Sequence, residues 1–349
     1  MFLSIPKIIY PNDNKEIITK IEKLLCEENL KNDFIEEYAI ILSDEDELIA
    51  AIGRYLNNLR CLVIKKEYRN YNLANILIDF MIKRIYKNHF KEIFVFTKPI
   101  NFKIFQNLGF RMIYNNDEFG FLTNRFDLFD KYLKYLSNQK EDKENSSVIV
   151  MNCNPFTKGH EYLIKKACEN SSFVYVIMVS EEGSLFTYKE RLDMIKLATQ
   201  NFSNVKILEG SNYLVSKNIF PSYFLPSKEE VVKQQIILDT FIFVNYIAPA
   251  LNIKKRFVGE EPFSNTTNLY NQIMSEVFKT KEIELIIIPR KKYQDKSISA
   301  TQVRKLFIQG NFEEISQLVP ISSLNYLKKL NYLKYKENKE LLKLIEKKH

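Results

Sequence analysis

The stretch Val148-Ile149-Val150-Met151-Asn152-Cys153-Asn154-Pro155-Phe156-Thr157-Lys158-Gly159-His160 decides the fold. Its opening apolar run does not alternate with polar residues, which suits a strand buried on both faces of a parallel sheet. The chain then turns and enters a helix whose apolar residues, Leu163, Ile164, Ala167 and Cys168, share one face. Thr157 falls at the N-cap of that helix. His160 falls in its first turn, facing the upper edge of the sheet. Gly159 leaves room for a phosphate to approach, and the unpaired N–H groups and positive dipole end favour an anion. Taken alone, a Thr, a Gly and a His at a helix start also occur in α/β proteins that bind no phosphate.

Downstream, apolar segments at 173–179, 205–208, 256–258 and 285–288 alternate with amphipathic helices expected at 159–169, 189–199 and 231–246. That alternation predicts an α/β, doubly wound parallel sheet with its ligand crevice at the carboxyl ends of the strands. After the last strand and a polar loop at 289–296 comes Ser297-Ile298-Ser299-Ala300-Thr301-Gln302-Val303-Arg304. Ser299 and Gln302 fit an S-x-x-Q capping box, and Val303, Leu306 and Phe307 form a packing face. Ser299 and Thr301 also set two hydroxyls beside a helix N-terminus, with Arg304 on the same face. Hydroxyls, backbone N–H groups and a guanidinium make a phosphate clamp. A sheet order of 3-2-1-4-5 brings this cluster to the same side of the crevice as the first.

Upstream, residues 1–130 mix helix-period segments (15–26, 72–86) with strand-period ones (38–52, 59–64, 92–96), and end in a hairpin turning at Asn115-Asn116-Asp117. This half reads as α+β. The polar run at 131–147 is the expected linker, and 148–349 the second domain, with a helical tail packed through Leu330, Leu333, Leu341, Leu342 and Ile345.

The 349 residues suit two domains. No apolar run reaches the roughly 20 residues a membrane helix needs, and the amino terminus has no export pattern, so no membrane partner and a cytoplasmic location are expected. Cys26, Cys61, Cys153 and Cys168 are scattered, without metal-site or disulfide spacing. Cys153 reads as strand-end packing, and His89 and His349 as surface residues. The net charge of +8 comes from lysine spread along the whole chain, which argues for no nucleic-acid partner while still favouring anionic ligands.

The T-x-G-H of Thr157 to His160 and the I-S-x-T-x-x-R of Ile298 to Arg304 resemble the nucleotidyltransferase superfamily, whose first motif is more often H-x-G-H. The chain is more closely similar to the citrate lyase ligase family, where threonine is usual. That likeness rests on 151–160, on Val179-Ser180-Glu181-Glu182, on Phe220-Pro221-Ser222-Tyr223-Phe224-Leu225, and on Ile247-Ala248-Pro249-Ala250-Leu251. Phe257-Val258-Gly259-Glu260-Glu261-Pro262-Phe263 and Ile288-Pro289-Arg290-Lys291 extend it.

The family resemblance implies a GNAT-like amino-terminal domain, and Arg69-Asn70-Tyr71-Asn72-Leu73-Ala74 stands where such a fold has R-x-x-G-x-G/A, with Asn72 replacing a glycine. Phe105-Gln106-Asn107-Leu108-Gly109-Phe110 resembles its later F-x-x-L-G-F. The same resemblance implies ATP and Mg2+ as cofactors, with no protein metal ligand. Acetate would attack the α-phosphorus, and the acetyl group would pass to the phosphoribosyl-dephospho-coenzyme A thiol of the citrate lyase acyl carrier subunit. His160, Thr157 and Arg304 would be catalytic; Asn154, Phe156, Gly159, Ser299, Thr301 and Arg191 would bind the nucleotide. Adenylation of a phosphopantetheine or mononucleotide, N-acetyl transfer by the first domain, and a non-enzymatic carrier- or nucleic-acid-binding role are the alternatives.

Overall fold

The computed structural model describes residues 5–180, 184–214, 220–260 and 265–345. Glu181, Glu182, Glu261, Pro262 and Phe263, which carried part of the family likeness, lie outside the described residues. The chain divides into two compact units, one of residues 1–131 with 217–238 and one of 132–216 with 239–349.

The first unit runs β1 (Lys7–Ile9), α1 (Lys15–Glu27), β2 (Glu37–Leu42), β3 (Leu48–Tyr55), β4 (Asn58–Ile64), α2 (Leu73–Lys87), β5 (Phe94–Thr97), α3 (Phe102–Asn107), β6 (Arg111–Asn115) and β7 (Gly120–Thr123). The sheet order is β1-β2-β3-β4-β5-β7-β6. Its pairings are antiparallel except β4–β5, which are parallel and paired only at Asn58–Phe94 and Leu59–Val95. This is the GNAT-like α+β architecture expected. Leu73, Leu77, Ile78, Met81 and Ile85 of α2 pack on Ile41, Ile49, Ile52 and Val95 of the sheet, all buried. Asn72 has φ 59°, in the left-handed region that glycine enters freely and asparagine tolerates, which explains how the glycine position is filled here.

Residues 220–238 also belong to this unit. The Tyr223 hydroxyl donates to the Phe96 carbonyl at 3.0 Å, just past the point where β4 and β5 stop pairing. Phe220 and Phe224 pack on Phe119 at ring distances of 5.3 and 6.3 Å. These aromatics are core residues of the first unit.

The expected linker is only in part a loop. Helix α4 (Phe126–Asn138) takes up its first half, because Phe129 and Leu136, two turns apart, are both buried, and β8 (Ser146–Met151) begins before its end.

After β8 the chain continues through α5 (Lys158–Asn170), β9 (Phe173–Met178), α6 (Tyr188–Thr199), β10 (Val205–Glu209), α7 (Lys228–Ile242), whose residues up to Leu238 belong to the first unit, and then, again in the second unit, α8 (Ala248–Leu251), β11 (Lys255–Gly259), α9 (Asn265–Lys279) and β12 (Glu284–Ile288). A short hairpin, β13 (Lys292–Tyr293) and β14 (Lys296–Ser297), leads into α10 (Ala300–Gln309). The sheet is parallel in the order β10-β9-β8-β11-β12, the anticipated 3-2-1-4-5. Gln294 and Asp295 turn the hairpin with φ of 48° and 59°. Lacking Gly or Asn, it had read as loop.

A π turn, Phe243–Ile247, joins α7 to α8 into one helix over 228–251, long and apolar enough by composition to cross a membrane. Half of its apolar window is buried in the protein, and its Asp239 pairs with Arg256 at 3.2 Å, the pattern of a core helix. The tail forms α11 (Phe312–Leu318), α12 (Ile321–Lys329), α13 (Tyr332–Glu337) and α14 (Lys339–Leu342). Leu330, Leu341, Leu342 and Ile345 pack on the core as anticipated. Leu333 does not: it is exposed, and Tyr335 of the same helix is buried in its stead.

Candidate functional site

In the second unit the chain leaves β8 toward β9 and β10 on one side and returns through β11 and β12 on the other, so the direction of winding reverses between β8 and β11. These two strands pair only at Ser147–Lys255 and Val148–Arg256. Beyond that they are not paired, and this reversal point, at the carboxyl ends of the two strands, is where doubly wound sheets hold ligands.

The first motif follows β8 at this end of the sheet. Thr157 caps α5: its Oγ1 accepts from the His160 N–H at 3.4 Å, while its own N–H donates to His160 Nδ1 at 3.0 Å. This is a reciprocal capping box in which an imidazole takes the place usually held by Glu or Gln. Because Nδ1 accepts a backbone N–H it carries no proton, so the neutral ring carries its hydrogen on Nε2. Burial and the nearby Arg290 guanidinium lower the imidazole to about 4, which keeps it neutral at physiological pH. The ring lies 5.6 Å from that of buried Phe156. His160 is thus a fixed, uncharged hydrogen-bond donor beside a helix N-terminus. A Cβ on Gly159 would stand 3.4 Å from Thr157 Oγ1 and 3.8 Å from the Ile298 carbonyl oxygen, with no closer protein atom. The position would accept a Cβ at ordinary contact distance and is bordered by Ile298 of the second motif.

In that second motif Ser299 caps α10, its Oγ accepting from the Thr301 N–H at 3.2 Å, so the serine half of the expected box forms toward Thr301 rather than Gln302. Arg304 is 2% exposed. Its Nη2 donates to Thr301 Oγ1 at 2.9 Å, Nη1 to the Asn154 carbonyl at 2.6 Å and Nε to the Ile345 carbonyl at 2.9 Å. The two motifs are bolted together through this side chain. Expected as a phosphate ligand, Arg304 spends these donors on the protein itself, because a guanidinium inside the fold must satisfy its N–H groups there.

Asn154 is buried, and its Oδ1 also accepts from the Phe186 N–H at 3.2 Å, so it shapes the loop from within. Arg191, another expected nucleotide contact, is fully buried. Its Nη1 donates to the Asn152 carbonyl at 2.8 Å, to Asn152 Oδ1 and to the Val179 carbonyl at 3.1 Å, tying off the ends of β8 and β9. Cys153 is buried and its thiol is pushed up by desolvation, which leaves it no nucleophile. Lys158 is held by the Ser316 carbonyl at 3.1 Å.

Residues 146–327 match the citrate lyase ligase C-terminal domain. Over 91% of this chain and 92% of its own length, the citrate (pro-3S)-lyase ligase of Escherichia coli (strain K12) is 32% identical. That of Haemophilus influenzae is 32% identical over 89% of this chain and 95% of its own. The chain belongs to the citrate lyase ligase family. A shorter likeness, 40% over 63 residues, or 18% of this chain and 38% of the other, links it to a Clostridium botulinum phosphopantetheine adenylyltransferase.

For this citrate lyase ligase, motif reading named His160 as a candidate but gave no role to a charged group near it. Arg290 was quoted only for likeness, yet its charge bears on His160 and its Nε donates to the Glu260 carbonyl at 2.7 Å. The signal available was its place two residues past the end of the parallel strand β12, on the side where a doubly wound sheet meets its ligand.

Proposed function

We propose that this protein adenylates acetate with ATP and passes the acetyl group to the thiol of the phosphoribosyl-dephospho-coenzyme A arm on the citrate lyase acyl carrier subunit, so activating citrate lyase in the cytoplasm. The ligase chemistry belongs to residues 148–349. A carboxylate oxygen of acetate attacks the α-phosphorus, the bond to the bridging oxygen breaks, and pyrophosphate departs. The thiol then attacks the acetyl carbonyl and AMP leaves, giving a thioester. Acetate is already a nucleophile, so the protein's work is alignment and stabilisation of charge on the phosphates.

One observation carries the reading: the neutral His160, its Nδ1 taken by the Thr157 N–H, keeps an Nε2 donor in the first turn of α5, the helix that follows β8. That donor and the first-turn N–H groups suit a polyphosphate. Gly159 admits it, Thr157 and Phe156 fix the imidazole, and the Ser299 and Thr301 hydroxyls belong to the adjoining second motif. Arg304 and Asn154 keep the two motifs in register, and Arg191 holds the loop from below. Mg2+, held by the phosphates, would screen their charge.

Acetate-dependent exchange of labelled pyrophosphate into ATP tests this. Exchange with acetate supports carboxylate adenylation. Exchange with pantetheine phosphate alone would move the protein to the adenylyltransferase reading suggested by the shorter likeness.

A further inference from the structure

Resting on that reading, we infer that the carboxy-terminal tail is a working part of the site, with Tyr335 as a positioning residue that holds the turn before His160 through Phe186 and Arg304.

The turn that presents Thr157 and His160 belongs to no strand or helix. Residues 152–157 run between the end of β8 and the start of α5, so the turn takes its support from other segments. Two bonds from far along the chain meet at Asn154. Its carbonyl accepts from Arg304 Nη1 at 2.6 Å, and its Oδ1 accepts from the Phe186 N–H at 3.2 Å.

Each of these donors leans on the tail. Arg304 gives its Nε to the Ile345 carbonyl at 2.9 Å, so the plane of the guanidinium is set by the first motif on one side and by the tail on the other. The Phe186 ring meets that of Phe307, in α10, at 5.1 Å, and the Tyr335 ring completes the cluster at 5.9 Å from Phe186 and 5.3 Å from Phe307. Tyr335 is buried and tied down in turn. Its hydroxyl donates to Glu190 Oε1 at 2.6 Å, and Glu190 Oε2 accepts at 2.7 Å from the N–H of Thr187, the cap of α6 and the neighbour of Phe186.

Close-packed rings pass a displacement on, because an interior at crystal density has no slack to absorb it. A tail that lifts at Tyr335 therefore loosens Phe186, withdraws Ile345 from Arg304, and lets the Asn154 turn shift with Thr157 and His160. A reaction that depends on alignment is sensitive to this, since a displacement of about 1 Å costs up to about 100-fold.

The test is NMR titration of His160 together with pyrophosphate exchange, in the wild-type chain, in Tyr335→Ala and in Tyr335→Phe. Tyr335→Ala should slow exchange roughly 10- to 100-fold through kcat, and raise the His160 titration from about 4 toward the ordinary 6.5 as the imidazole loses its burial. Tyr335→Phe keeps the ring against Phe186 and Phe307 and should restore both readings. A tail that only stabilises the fold would lower Tm and move neither. Folded Tyr335→Ala with either reading at its wild-type value, or a loss in Tyr335→Phe as large as in Tyr335→Ala, would overturn the inference. Should Tyr335→Ala not fold, Tyr335→Leu, which refills the space without a flat ring, is read by the same criteria. If the wild-type protein exchanges no pyrophosphate, it is the proposed function that fails, and the His160 titration alone still decides the role of Tyr335.

Discussion

Nη1 of Arg304 donates to the carbonyl oxygen of Asn154 over 2.6 Å, joining residues 150 positions apart in the chain. That bond makes one site of two motifs, since Asn154 opens the turn that presents Thr157 and His160, while Arg304 stands in the helix capped by Ser299.

Arg304→Ala should therefore damage the fold as well as the activity. It removes the guanidinium donors to the Asn154 carbonyl, which is buried, and to the part-buried Ile345 carbonyl, and at roughly 1–3 kcal/mol for a lost bond to a charged group the loss is on the order of 2–3 kcal/mol. Chemical denaturation measures this. Wild-type stability combined with a pure loss of ATP affinity would mean that the side chain contacts the nucleotide.

His160→Ala should cost on the order of 10²- to 10³-fold in exchange rate, the scale of a lost oxyanion donor. It also removes the acceptor for the Thr157 N–H. His160→Gln separates the two effects, because Gln at this position completes a capping box without offering an imidazole donor. We expect His160→Gln to recover thermal stability and not activity; recovery of both would reduce His160 to a cap.

The same residue sets a pH dependence. Its folded value of about 4 lies below the ordinary 6.5, so between these limits the unfolded chain binds a proton that the folded chain refuses. The His160 contribution to stability is thus full above about pH 6.5 and declines as pH falls toward 4. NMR titration should show the His160 imidazole still neutral at pH 5.5. His160 titrating near 6.5 in the wild-type protein would contradict the geometry.

Gly159→Ala puts a methyl group 3.4 Å from Thr157 Oγ1, an ordinary contact, so the fold should tolerate it. The methyl projects into the space proposed for phosphate. A raised KM for ATP with an unchanged or slightly higher Tm is the expected result, and unchanged kinetics would show that no ligand approaches there.

In the first unit, Tyr223→Phe removes the donor to the Phe96 carbonyl beside the gap between β4 and β5. The expected cost is about 1 kcal/mol of stability, seen as a Tm lowered by a few degrees. No change in Tm would mean that the hydroxyl is dispensable.

Local pattern alone determined a good deal of this protein. The unbroken apolar run Val148 to Met151 specified a strand buried on both faces, the spacing of Leu163, Ile164 and Ala167 specified the helix after it, and Thr157 was legible as its cap because capping depends on neighbours in the chain. The sheet order and the pairing of the two motifs followed from the same alternation. Tertiary structure decided what each polar group was for, since a side chain's partners lie far off in sequence. Arg304 and Arg191 read as phosphate ligands, and burial turned them into struts for carbonyls. Phe220, Tyr223 and Phe224 stood in the ligase stretch and packed into the other unit. Arg290 carried only its place after a strand as a local signal; the parallel pairing of β11 and β12 sets beside it Glu260, whose carbonyl accepts from its Nε, and its charge bears on His160.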